Sequence, residues 1–230
     1  MLFPLRDENP LVRTPVATIV LISLNVACWA LLQGFGSDQA LGSSICNFGL
    51  IPGDIWGALP VGTGFPESDG GFCRVDGNGS YLTVITSMFM HGGWMHIGGN
   101  MLFLWTFGDN IEHDLGHVKF LVFYLVCGVL AGLTHWFFGM QSGVPTVGAS
   151  GAIAGVMGAY IIKYPKAKIV TLLPLFIIWT TVRIPAVYFL GFWFVQQAFS
   201  SVASLGMPEA GGVAYWAHAG GFIFGAVLGP

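Results

Sequence analysis

The chain has 230 residues, of which 54% are hydrophobic and only 8% are charged, with a formal net charge of −3; an ordinary soluble domain is about 25% charged. Mean hydropathy is +0.74. These values exclude a soluble globular enzyme, a disordered chain and a nucleic-acid binder, because eight Lys and Arg spread over the whole length cannot form a phosphate-binding patch. The 34 glycines lack a collagen period. An apolar, Gly-rich composition describes a polytopic membrane protein, in which small residues let helices approach closely.

A spanning helix needs about 20 mostly apolar residues. In chain order the candidates are 14–33, 81–108, 118–138, 147–162, 184–202 and 212–229. The apolar stretch 169–181 is short and contains Pro174; it reads as an interfacial or half-inserted piece, or else as a seventh span. The expected fold class is all-α, a six-span bundle over 14–230, preceded by a cytoplasmic segment 1–13. Arg6, Arg13, Lys119, Lys163, Lys166 and Lys168 then fall on the cytoplasmic side, with Arg183 at the inner start of span five, and Arg74 lies outside. That bias sets the N-terminus inside. Span one is longer than a signal-peptide core and lacks a clear cleavage site, so it reads as an uncleaved anchor.

The long outside loop, 34–80, carries Cys46 and Cys73. It faces an oxidising compartment, so the two can pair; two free thiols are equally compatible with the spacing.

Ionisable groups inside a bilayer are costly and are functional candidates by default. No Asp or Glu falls clearly within a span: Asp109, Glu112 and Asp114 go to the inner turn after span two. That disfavours an aspartyl protease and a carboxylate proton relay, and the absence of H-E-x-x-H disfavours a zinc protease. Three histidines do lie in spans: His91 and His96 in span two, His218 in span six. Five residues apart on a helix, His91 and His96 would point about 140° from each other, which makes a three-His metal site poor. His96 and Asn100 are four apart and share a face.

Span four opens with Gly148-Ala149-Ser150-Gly151 and continues with Gly155 and Gly158. A serine in such a run is usually a packing residue. His218 changes that reading, because it is followed by Gly221 and Gly225, a matching small-residue stripe on span six. Spans two, four and six all run outside to inside, which puts Ser150, His218, His96 and Asn100 at similar depth. A serine needs a base to act as a nucleophile, and histidine can serve. With no acid in the spans, a Ser150–His218 dyad is the one nucleophilic arrangement available. The N–H groups of Ala149 and Ser150 at the helix start, with His96 and Asn100, are candidate oxyanion donors.

These segments resemble the rhomboid family of intramembrane serine proteases. HGGWMHIGGNMLFLWTFGDNIE, GASG and AHAGGFIFG occur in the family's order, and PLRDENP and GLIPGD look like bacterial members. The resemblance implies Ser150 as nucleophile, His218 as general base, His96, Asn100 and Ala149 at the oxyanion, and His91, Gly148, Gly151, Gly221 and Gly225 as structural or packing residues. Glu112 matches a buried-end polar residue of the family's inner turn, with a solvated helix end as the alternative. No metal and no organic cofactor is implied. The expected partners are transmembrane protein substrates and the lipid bilayer, with no nucleic acid. The implied location is the plasma (inner) membrane of a bacterium. Two departures stand out: Leu82-Thr83 replace a Trp-Arg pair that anchors the outer loop in some members, and Ala154 replaces a Tyr that stacks on the base. His218 must then be oriented by some other contact.

The activity so implied is hydrolysis of peptide bonds in or near transmembrane segments. A catalytically inactive, client-binding relative and a histidine-lined transporter are the rival readings; the first would lack Ser or His, the second would show inverted repeats. For substrate entry, span five and the connection 204–212 suit a gate and lid, with Phe192 and Trp193 wedged against span two.

Overall fold

The computed structural model describes residues 3–9, 13–55, 57–66, 72–75, 80–175, 178–205 and 213–229. It is mostly helical. The N-terminal segment begins with a strand, β1 (Phe3–Asp7), and helix α1 (Val16–Leu31) follows Pro15. The first N–H groups of a helix have no partner within it and form the positive end of its dipole. Here the Glu112 carboxylate fills that place: Ala17 N–H and Thr18 N–H each donate to it at 2.7 Å, and Thr18 Oγ donates at 2.7 Å. Glu112 is 1% exposed, so the buried position that the resemblance implies is the one it takes, and the alternative of a solvated helix end fails. It is a buried cap across two helices, and His117 Nδ1 closes on the same carboxylate.

The region expected as the outer loop follows as a short 3-10 turn (Gly34–Gly36), α2 (Asp38–Phe48), α3 (Pro52–Ile55), the antiparallel pair of β2 (Gly64–Pro66) and β3 (Phe72–Arg74), α4 (Thr83–Thr86) and a second 3-10 turn (Ser87–Phe89). Three kinds of contact hold it. Cys46 and Cys73 form a disulfide. Leu50 pairs with Thr146 as an isolated antiparallel bridge. The fully buried Gln33 amide mimics a backbone peptide: its Oε1 accepts the His91 N–H and its Nε2 donates to the His91 carbonyl, both at 2.8 Å. This clamp anchors the outer region in a chain that carries Leu82-Thr83 in place of Trp-Arg.

Helix α5 (Trp94–Leu115) starts well after position 81, because Gly92-Gly93 interrupts the apolar run. His91 is therefore in the loop, and the helical-wheel argument separating it from His96 does not apply; their rings lie edge to face, 5.1 Å apart. The helix also extends past Asp109, Glu112 and Asp114, which sit on its last two turns. Gly116, at φ +79°, makes the sharp turn into α6 (His117–Phe138).

Helix α7 (Ser150–Lys163) is the centre of the core, with every residue from Gly151 to Tyr160 buried. A helix apolar on all sides is one surrounded on all sides. The chain then forms β4 (Lys168–Leu175) and β5 (Ile178–Pro185), which pair antiparallel with each other and through β4 with β1. The expectation of a half-inserted piece or a seventh span at 169–181 fails here. Val170, Thr171, Thr180, Thr181 and Val182 are β-branched and favour the strand, and β1 supplies the third edge. Asp7, at the end of β1, accepts from Tyr160 Oη, from Asn110 Nδ2 at 2.8 Å and from Asn9 Nδ2 at 3.1 Å. The N-terminal segment is thus tied to α5 and α7.

The last helices are α8 (Ala186–Ala203) and α9 (Tyr215–Leu228). Among the described residues, α6 and α8 are long and apolar enough to cross a membrane, while α1, α7 and α9 are apolar but shorter. Helices α7 and α9 meet along their glycines. A methyl group added to Gly225 would stand 1.9 Å from the Gly155 carbonyl oxygen, and one on Gly221 would stand 2.1 Å from that of Gly151. Only bare backbone fits on that side, so the two small-residue stripes form one seam.

Candidate active site

The seam places the side chains at the end where α7 and α9 begin. Ser150 is the first residue of α7 and His218 lies one turn into α9. His218 Nε2 and Ser150 Oγ are 2.7 Å apart. On its other side, His218 Nδ1 is 2.8 Å from Gln197 Oε1, on α8. An amide oxygen only accepts, so Nδ1 carries the ring proton and Nε2 offers its lone pair to the Ser150 hydroxyl. Trp193, one turn before Gln197, lies with its ring 5.8 Å from the His218 ring.

Two further side chains converge from α5. A methyl group on Gly148 would stand 2.6 Å from His96 Nε2 and 3.6 Å from Asn100 Nδ2. Gly148 has φ +126°, a conformation that other residues avoid, and it opens the space between these groups and Ser150. The Gly92 N–H donates to His96 Nδ1 at 3.2 Å. Neutral His96 must then carry its proton on Nε2, the nitrogen aimed at Gly148. Asn100 Nδ2 is buried without a hydrogen-bond partner. Two donors therefore face the approach to Ser150 unspent, as a site that receives a developing negative oxygen requires. Ala149, fully buried, is the N-cap residue directly before Ser150. Beside Ser150 lies a cavity of about 30 Å³, walled by Gly128, Ala131, Gly132, Gly151 and Ala217 among others.

Ser150, His218, His96, Asn100, Gly148 and Ala149 thus come together, with Gly151, Gly221 and Gly225 in the seam behind them. His91 stands one layer back, its backbone held by Gln33. Sequence reasoning missed Gln197 and Gln33. Both are amides in apolar runs, and a polar residue inside a span is itself a signal; attention to acids and histidines passed them over. The aromatic residues of α8 also differ from expectation. Phe189 packs toward α5, 6.4 Å from the Phe103 ring and 6.3 Å from that of Phe107. Trp193 instead faces α9, and Phe192 is exposed. Of the connection proposed as a lid, residues 206–212 lie outside the described residues.

A family model for the Rhomboid domain matches residues 78–230. The chain belongs to the rhomboid family. Rhomboids are membrane-integral and are generally intramembrane serine proteases. The chain is 38% identical over 96 residues to presenilin-associated rhomboid-like protein A, mitochondrial, of Danio rerio, a match covering 40% of this chain and 25% of that protein. It is 30% identical over 155 residues to rhomboid protein 1, mitochondrial, of Saccharomyces cerevisiae, covering 65% and 41% respectively. It is 30% identical over 147 residues to rhomboid protease GluP of Bacillus subtilis, covering 58% and 28%. The matches span less than half of each of these relatives. The mitochondrial names conflict with the expected bacterial plasma membrane; integral membrane placement holds, and that particular membrane does not follow.

Proposed function

We propose that this rhomboid is an intramembrane serine endopeptidase that cleaves transmembrane or membrane-proximal segments of other proteins through a Ser150–His218 dyad. The observation that carries this reading is the 2.7 Å contact between His218 Nε2 and Ser150 Oγ at the head of a glycine seam. Ser150 attacks the scissile carbonyl as Nε2 takes its proton. His96 Nε2–H, Asn100 Nδ2–H and the N–H groups at the start of α7 donate to the oxyanion. His218 then protonates the leaving amine, and water hydrolyses the acyl-enzyme by the same route in reverse. The cavity walled by glycine and alanine beside Ser150 suits a small side chain at the cleaved position.

In this reading α1, α5, α6, α7, α8 and α9 are the six spans of a domain over 14–230, with 1–13 and the β-sheet on the cytoplasmic side. Helices α7 and α9, each 14 residues or about 21 Å long, are shorter than a hydrocarbon core of about 30 Å, with the shortfall on the outer side in this reading. That leaves their outer ends below the lipid boundary, where water can enter from outside. Substrate helices enter past α8.

The test is cleavage of a single-span substrate by purified protein in detergent. Ser150→Ala and His218→Ala should each lower turnover by roughly 10⁴-fold or more in folded protein. Asn100→Ala should cost on the order of 10²–10³ in rate. Turnover retained by Ser150→Ala would overturn the reading. Binding of a client with no cleavage by the unmodified protein would mark the inactive, client-binding relative instead.

A further inference from the structure

We infer that Gln197 is the positioning residue of the base: a neutral amide that holds His218 in its productive tautomer and orientation. The inference rests on the dyad reading and adds a third member from a different helix. Gln197 is buried within an apolar helix, its Oε1 2.8 Å from His218 Nδ1. Its neighbour Gln196 is exposed, so the burial belongs to the position and not to a generally polar stretch. The backbone there is tied as well, since Ser201 Oγ donates to the Gln197 carbonyl at 2.8 Å.

The chemistry requires an acceptor at this point. With Nδ1–H donated to Oε1, the Nε2 lone pair points at Ser150. An amide turned end for end would present N–H to Nδ1, drive the ring proton to Nε2 and leave Ser150 without a base. When His218 becomes an imidazolium, Nδ1–H stays on Oε1, so the bond serves both protonation states. A carboxylate would stabilise the imidazolium more strongly, but while His218 is neutral it would place a charge in an apolar site with no cation beside it among the described residues. Gln197 and Ser150 carry no charge, and among the described residues the titratable groups felt by His218 are His96 on α5 and His135 on α6, imidazoles and not carboxylates. The missing aromatic stack at Ala154 is thus replaced by a hydrogen bond from α8. Because that helix is also the proposed path of substrate entry, base alignment depends on where α8 stands.

The experiment compares Gln197→Met, Gln197→Glu and Gln196→Ala in folded, purified protein. It reads kcat and KM on a single-span substrate, the pH profile of kcat, and the rate at which a small fluorophosphonate labels Ser150. Gln197→Met, of similar length but with only a weak thioether acceptor, should lower kcat and labelling roughly ten- to hundredfold, up to the low end of what general base catalysis supplies, with KM little changed. Gln197→Glu should restore most of the rate and move the acid limb of the profile to higher pH, because a carboxylate favours the protonated ring. Gln196→Ala should behave as the unmodified protein. Full kcat and labelling in folded Gln197→Met, or a Gln197→Glu profile with an unmoved acid limb, would overturn the inference. Ser150→Ala and His218→Ala, assayed alongside, separate the two claims. If both are inactive while Gln197→Met is unaffected, only the role of Gln197 fails. If either retains turnover, the dyad itself fails.

Discussion

Helices α7 and α8 both border α9, and they meet it in opposite ways. On the α7 side the contact is backbone on backbone, with no room for a methyl group at Gly221 or Gly225. On the α8 side it is made by large rings: Phe194 stacks on Phe222 at 4.7 Å and Trp193 lies 6.1 Å from the same ring. Gly191 on α8 faces open space, and Phe192 and Phe199 are 64% and 75% exposed. His218 stands between these two contacts. Its Nε2 faces Ser150 across a seam that cannot shift without breaking, and its Nδ1 faces Gln197 on a helix with space around it. The distance between Ser150 and His218 is therefore set by the rigid side, and the orientation of the His218 ring by the looser one.

The largest expected effect comes from breaking the rigid side. Gly225→Val puts side-chain carbons into the Gly155 carbonyl, so the helices must separate. Overpacking of this kind costs about 1–3 kcal/mol, and here the same shift pulls His218 from Ser150. Thermal unfolding should move down and cleavage should fall with it. A Gly225→Val protein of unchanged stability and rate would show that the seam does not set the dyad distance.

Restraining the looser side should leave the fold alone and alter access. Cysteines replacing Phe103 and Phe189, joined by a short thiol crosslinker in a background lacking Cys28 and Cys127, should reduce cleavage of a transmembrane substrate at least tenfold while hydrolysis of a small soluble ester continues. Phe192→Ala, at an exposed position, should raise transmembrane cleavage by a small factor or leave it unchanged. Equal loss of both activities in the crosslinked protein would mean that α8 does not gate entry.

The smallest effect belongs to the inner end. Burial pushes the Asp7 carboxyl above its ordinary range, even though Tyr160 and Asn9 donate to it. The folded state therefore binds this proton more tightly than the unfolded chain does. Its contribution to docking of β1 is fully present below the ordinary carboxylate range and is lost as pH rises through the higher folded value. Deuterium exchange of residues 3–7 should quicken across that window, beyond its intrinsic pH dependence, and Asp7→Asn should remove the excess.

Parts of this arrangement were legible in the sequence because they follow helical period and residue size. The glycines of α7 and α9, spaced at three to four residues, announced a close seam, and topology put Ser150 and His218 at one depth. Other parts depend on partners far along the chain. Nothing local to Glu112 says that it caps α1, about 95 residues earlier, and nothing local to Gln33 says that it clamps the peptide of His91. The hairpin of β4 and β5 reads as apolar membrane sequence until β1 supplies the edge it pairs with. His91 was misplaced because two glycines end a helix that hydropathy alone would continue. Gln197 carried a visible signal, an amide in an apolar run, but its burial and its meaning required the position of α9.

The most direct test of the dyad is to label the protein with a fluorophosphonate and map the adduct by mass spectrometry, in the unmodified chain and in His218→Ala. A single adduct on Ser150, lost when His218 is replaced, is the predicted result. An adduct on another residue, or one on Ser150 formed at an unchanged rate without His218, would contradict it.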